Sequence, residues 1–126
     1  MLKRMKMTRI AATKEALDTA EWPDGTLVMR TAADEVLLSP VVENPSLSDE
    51  YAIVLQDGAW AGAWFQPAEL LAFLERNCEW ELPRERPAFA QGAVADVATK
   101  LWFEEEKILL IVPAPYAAEM EERMEA

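Results

Sequence analysis

Histidine is absent from all 126 residues, and cysteine occurs once, at Cys78. The first absence removes imidazole acid–base chemistry, Ser-His-Asp and Cys-His nucleophile pairs, and every histidine-containing metal site. The second removes an intramolecular disulfide and any zinc or iron–sulfur site that needs several thiolates. An unpaired thiol suits a reducing compartment, so the chain reads as cytoplasmic. No apolar run approaches the roughly 18 to 20 residues of a membrane span. The opening Met1-Leu2-Lys3-Arg4-Met5-Lys6-Met7 is charged with no apolar region behind it, so neither membrane insertion nor secretion is expected. Positive charge is also scarce. With 12 Lys and Arg against 23 Asp and Glu, the net charge is −11, which repels a phosphate backbone and argues against direct nucleic-acid binding.

What is present points to an ordinary packed protein. Hydrophobic residues make up 52% of the chain, enough for one domain with its own core and no need of a metal or disulfide. The charge is unevenly placed: residues 1–14 hold Lys3, Arg4, Lys6, Arg9 and Lys14 and no acid, which leaves −16 on residues 15–126. Residues 1–12 therefore read as a basic, flexible N-terminal segment ahead of a single α+β domain over 13–126.

Thr13 is a natural N-cap for a short helix to Ala20, which stops at the turn Trp22-Pro23-Asp24-Gly25. Thr26–Thr31 and Glu35–Val42 predict a hairpin, with Pro40 marking a sheet edge. Tyr51–Gln56 and Ala59–Phe65 flank Asp57-Gly58, the residue pair most typical of a two-residue hairpin turn. That register sets Leu55 beside Trp60, Ile53 beside Gly62 and Tyr51 beside Trp64, and leaves an alanine-rich opposite face for a helix. The helix starts at Pro67 and ends near Asn77; residues 78–92, with Pro83 and Pro87, read as a long loop. Alternation across 93–112, broken by Glu104-Glu105-Glu106, predicts another hairpin, followed by a helix from near Pro115 with a Glu119–Arg123 surface pair. The sum is α+β: antiparallel hairpins with helices on one face, a two-layer sandwich, and a ββα order over 51–77 and 93–124 that suggests an internal repeat.

Three groups of residues are candidate contact sites. Tyr51, Trp60 and Trp64 around Gly62 form either a slot in which a planar ligand or partner side chain stacks, or, if the face is covered, part of the core. Arg84 and Arg86 lie in the proline-stiffened loop with Trp80, Leu82 and Phe89, and could fork onto a carboxylate or phosphate, although no glycine-rich cradle accompanies them. Glu104, Glu105 and Glu106 concentrate negative charge in one turn. Like Asp49-Glu50 and the glutamates of the last helix, they lack calcium-loop spacing and read as solvated charge. Asp96 and Lys100 share a strand face and read as a structural ion pair. None of Ser39, Ser46 and Ser48 sits in a nucleophile elbow. No catalytic residue, metal site or cofactor is expected.

The functional reading is a non-enzymatic interaction module. It would be an accessory subunit, or an inhibitor of the immunity or antidefence kind, whose acidic body docks on a basic protein. The alternative is a small-molecule binder or enzyme subunit that uses the Trp60/Trp64 slot with the loop arginines. The sequence leaves the oligomeric state open.

Overall fold

The structure, a computed structural model, describes residues 1–126. It contains seven antiparallel strands and three α-helices, a mixed α+β fold dominated by sheet. The strands are β1 (Lys3–Ala11), β2 (Leu27–Ala32), β3 (Glu35–Ser39), β4 (Ile53–Phe65), β5 (Ala88–Val94), β6 (Val97–Phe103) and β7 (Ile108–Pro113). The helices are α1 (Lys14–Thr19), α2 (Pro67–Asn77) and α3 (Ala117–Glu125), the last entered through a 3-10 turn at Ala114–Tyr116. No helix is long and apolar enough to cross a membrane. The chain forms two compact units, Lys6–Gly58 and Met1–Met5 with Ala59–Ala126, so β1 and β4 each contribute to both.

In the Lys6–Gly58 unit the strand order is β2-β3-β1-β4. The β2-β3 hairpin forms as expected, with Val28 opposite Leu38 and Met29 opposite Leu37. Pro40 does not mark an edge: it follows the end of β3, which lies between β2 and β1. The basic segment expected to be flexible is instead strand β1, pairing Thr8 through Ala11 with Leu38 through Glu35. Lys3, Arg4 and Lys6 are exposed, while Met7 on one face and Ile10 on the other are fully buried, so burial of apolar groups on both faces orders it. Ile10, Leu17, Val36 and Leu38 form this unit's core, with Trp22, Val28, Val42 and Leu47 packed against it. Thr8 is buried too, and its hydroxyl is satisfied by donating to Gln56 Oε1 at 2.9 Å and accepting from Val42 N at 2.9 Å.

Helix α1 has the predicted cap, with Thr13 Oγ1 accepting from Ala16 N at 3.1 Å. Asp18 then ties the helix to the hairpin: Lys14 Nζ lies at 2.7 Å and Arg30 Nη2 at 2.9 Å, and Arg30 also donates to Ala33 O at 2.7 Å. The hydrogen bond from Lys14, followed by that from Arg30, holds the Asp18 carboxyl below the usual aspartate range.

The second unit runs β1-β4-β7-β6-β5. Here the expected hairpin over 51–65 does not form. β4 passes straight through Asp57-Gly58, and its Trp60–Phe65 segment pairs with Pro113–Ile108 of β7. The ββα order therefore does not hold over 51–77, which is one strand followed by a helix. The β6-β7 hairpin forms around the glutamate turn, pairing Lys100 with Ile111 and Phe103 with Ile108. Part of the supposed long loop is strand β5, registered from Ala88 opposite Phe103 to Val94 opposite Val97. The turn between them is Ala95-Asp96, both at positive φ (49° and 66°), so Asp96 lies in a turn and not within a strand. Lys100 Nζ, its expected partner, donates to Gln91 Oε1 at 3.2 Å. The cost of left-handed Ala95 is offset by tertiary bonds: its N–H donates to Asn77 O at 3.0 Å, and Arg123 Nη1 donates to its carbonyl at 3.4 Å.

Helix α2 starts at Pro67, with the Glu69 carboxylate accepting from Gln66 N at 2.9 Å. Its Leu70, Phe73 and Leu74 join Met120 of α3 and the Phe65, Val97, Leu101, Phe103, Ile108, Leu110 and Val112 face of the sheet in one core. Both helices thus share this unit's apolar sheet face. The Glu119–Arg123 pair forms at 3.3 Å.

Two predictions follow from this packing. A Cβ on Gly62 would stand 2.8 Å from the Leu110 carbonyl oxygen and 2.8 Å from Met5 Sδ, and a ladder carbonyl cannot retreat without breaking its pairing. Gly62→Ala should cost about 1–3 kcal/mol, read as a lower denaturant midpoint at unchanged slope. For Asp18, a carboxyl pKa depressed on folding contributes stability that is present above the ordinary aspartate range and lost as pH falls through the lowered folded value. The gap in thermal midpoint between wild type and Asp18→Asn should be widest at neutral pH and close in acid.

Candidate functional site

The pleat of β4 places Trp60, Gly62 and Trp64 on one face, as the alternation requires. The slot between the indoles is nevertheless filled, because Met5 Sδ and the Ile111 side chain occupy the space above Gly62. Trp60 is 9% exposed, with Lys100 Nζ 5.1 Å from its ring centroid, and its indole N–H is buried without an acceptor. Trp64 is 41% exposed, with Lys107 Nζ 4.1 Å above its ring. Both lysines therefore sit over indole faces that a stacking ligand would need. Tyr51 is not set against Trp64: with no hairpin to bring it back, it precedes β4 in the Lys6–Gly58 unit and is 82% exposed. Trp60 is core, and the three aromatics do not form one site.

The loop arginines are separated in role. Arg86 Nη1 donates to the carbonyls of Pro83 and Glu85, each at 2.9 Å, and its guanidinium stands 4.7 Å from the Phe103 ring centroid. It holds the loop onto the sheet. Arg84 is exposed and lines, with Leu71, Cys78, Trp80, Leu82 and Arg86, an open cleft of about 480 Å³ that neither Trp60 nor Trp64 reaches. Trp80 fixes one wall, its Nε1 donating to Ala93 O at 2.9 Å and its indole lying over Gly92. The aromatic pair and the loop arginines thus do not line one cleft.

In the acidic turn, Glu104 N donates to Lys107 O at 2.9 Å, and the Glu104 carboxylate accepts from Trp102 Nε1 at 3.0 Å. Glu104 is part of the hairpin's own bonding, while Glu105 and Glu106 are exposed. No group of three or more Cys, Asp and Glu side chains is placed to hold a metal ion.

The most exposed apolar surface falls on residues that the hairpin reading had paired off. Ile53 is 57% exposed, Val54 37% and Leu55 54%, next to Tyr51 in the Lys6–Gly58 unit. The available signal was the polar bracketing of this run, Asp49-Glu50 before it and Gln56-Asp57 after it.

No protein-family model matches the chain, and no curated protein aligns significantly with it.

Burial pushes the Cys78 thiol above its ordinary range, so the thiolate is depleted at neutral pH. Iodoacetamide should therefore alkylate Cys78 more slowly in the folded protein than after unfolding in denaturant. Equal rates measured by mass spectrometry would show that the thiol is open to water.

Proposed function

We propose that the chain is a non-enzymatic protein-interaction module, an accessory subunit or an inhibitor of the immunity or antidefence kind, which docks on a basic protein partner in the cytoplasm. The observation that carries this reading is the exposed run of Tyr51, Ile53, Val54 and Leu55, set in a unit where Lys6, Arg9, Lys14 and Arg30 face ten carboxylates, a net charge of −6. Contiguous apolar groups exposed on a charged surface favour protein contact, because association removes them from water. The surrounding negative potential selects a partner of opposite sign and disfavours nucleic acid.

Charge and apolar contact act on different rate constants, and this separates them. Long-range attraction raises the association rate and is screened by salt, whereas apolar anchoring acts on dissociation. With the partner captured from the native cell and purified, stopped-flow association should slow steeply as salt is raised while dissociation changes little. Replacing Glu50, Glu105 and Glu106 by glutamine leaves the bonded Asp49 and Glu104 in place and should slow association about 3- to 10-fold. Association that is independent of both salt and these substitutions would overturn the acidic-docking reading.

A further inference from the structure

In the strand order β4 lies between β1 and β7, and the whole of β7, Ile108–Pro113, is paired with Trp60–Phe65, so on the β7 side Ile53–Gln56 presents a backbone edge with no strand beside it. An edge of this kind is a template for another strand, and proteins ordinarily blunt it with lysine, proline or a bulge. Residues 50–56 contain no lysine, proline or glycine. Ile53 and Leu55 are exposed on one face of the strand and Val54 on the other, so both faces are apolar where they meet water.

Resting on the basic-partner reading above, we propose that the Ile53–Gln56 edge takes an added β-strand from the partner, apolar at its centre and carrying lysine or arginine at the end that lies against Asp49-Glu50. Main-chain hydrogen bonds along the edge supply affinity with little dependence on sequence. Specificity comes from the alternating apolar contacts and from charge. The Asp49 carboxylate is held in place by Thr13 N at 3.0 Å and Tyr51 N at 2.9 Å, so its charge is fixed beside the edge, and Glu50 is exposed next to it. At the other end Asp57 is already paired with Arg9 at 2.8 Å, which leaves the Asp49-Glu50 end as the one that selects for cations. A second copy of this chain is the poorer occupant, since it brings another unit of charge −6 to the same contact.

Three labelled peptides test this on the intact chain: alternating Val and Thr with two lysines at each end, the same core with two glutamates at each end, and a Gly-Ser core with the lysines. Fluorescence anisotropy at low salt measures affinity, and amide hydrogen exchange locates the contact. The lysine-ended Val-Thr peptide should bind and slow exchange at residues 53–56, with at least a tenfold loss of affinity for the glutamate-ended peptide and for the Leu55→Lys variant. Leu55 is exposed, so that variant should keep the wild-type unfolding midpoint; if it does not fold, the exchange footprint on wild type decides. Equal binding of the lysine-ended Gly-Ser peptide would overturn strand addition while leaving attraction to basic partners standing. Protection elsewhere on the chain would overturn the location. A chain that sediments as a dimer with residues 53–56 already protected would make the second copy the occupant. Failure of all three peptides would overturn the edge proposal, and the salt dependence of the captured partner would then judge the docking reading separately.

Discussion

Both units require β4 to stay extended through Asp57-Gly58, because each takes one end of that strand as its own. The local preference runs the other way: an Asp-Gly pair favours the positive backbone angles of a two-residue turn. In the structure positive φ occurs at Gly25, Ala95 and Asp96, and Gly58 is not among them. A turn preference is worth on the order of a kcal/mol, whereas bending here would expose Trp60, Ala61 and Phe65, each of which contributes about 1 kcal/mol or more by burial. The Arg9–Asp57 pair, at 2.8 Å, adds an increment of about 1 kcal/mol or less and gives the aspartate a role other than turn former. Long-range burial outweighs local turn chemistry, and the positions of Trp60, Trp64 and the Ile53–Leu55 edge all follow from it.

Elements with their own local signal were legible. Thr13 as a cap, Pro67 with Glu69 at the start of α2, and the Glu119–Arg123 pair all depend on residues within a turn or two of one another, and each has the geometry expected. The hairpins β2-β3 and β6-β7 are legible for the same reason. What escaped depended on distant partners. β1 looks like a solvated basic tail until β3 is beside it, and β5, written Ala-Phe-Ala-Gln-Gly-Ala-Val, has too little contrast between faces to show a period. Its turn at Ala95-Asp96 lacks the usual glycine, and is held by Asn77 and Arg123 from two helices.

The candidate site shows the same division. The face shared by Trp60, Gly62 and Trp64 could be read from spacing, but its occupation by Met5 could not, because Met5 arrives from a strand that the sequence did not announce. Arg86 was a candidate for an anion, yet its Nη1 is used on the carbonyls of its own loop. Glu104 likewise serves Trp102 before it serves any partner. Side chains singled out for their chemistry were in several cases already committed to the fold, while the plain aliphatic run at Ile53–Leu55 was left uncovered.

The sharing of β1 also bears on the order in which the chain can assemble during synthesis. Residues 6–58 supply every strand of the Lys6–Gly58 unit in one uninterrupted stretch, so that unit can close its pairings while the rest is still being made. Met1–Met5 are made before that unit, yet the surface they cover is built from β4 and the later β7, and Leu2 N donates at 2.7 Å to Glu121. These residues, made ahead of the Lys6–Gly58 unit, are therefore placed after it. Until α3 appears, Leu2 and Met5 remain without part of their cover, and during that interval they are apolar surface open to whatever else the cell offers.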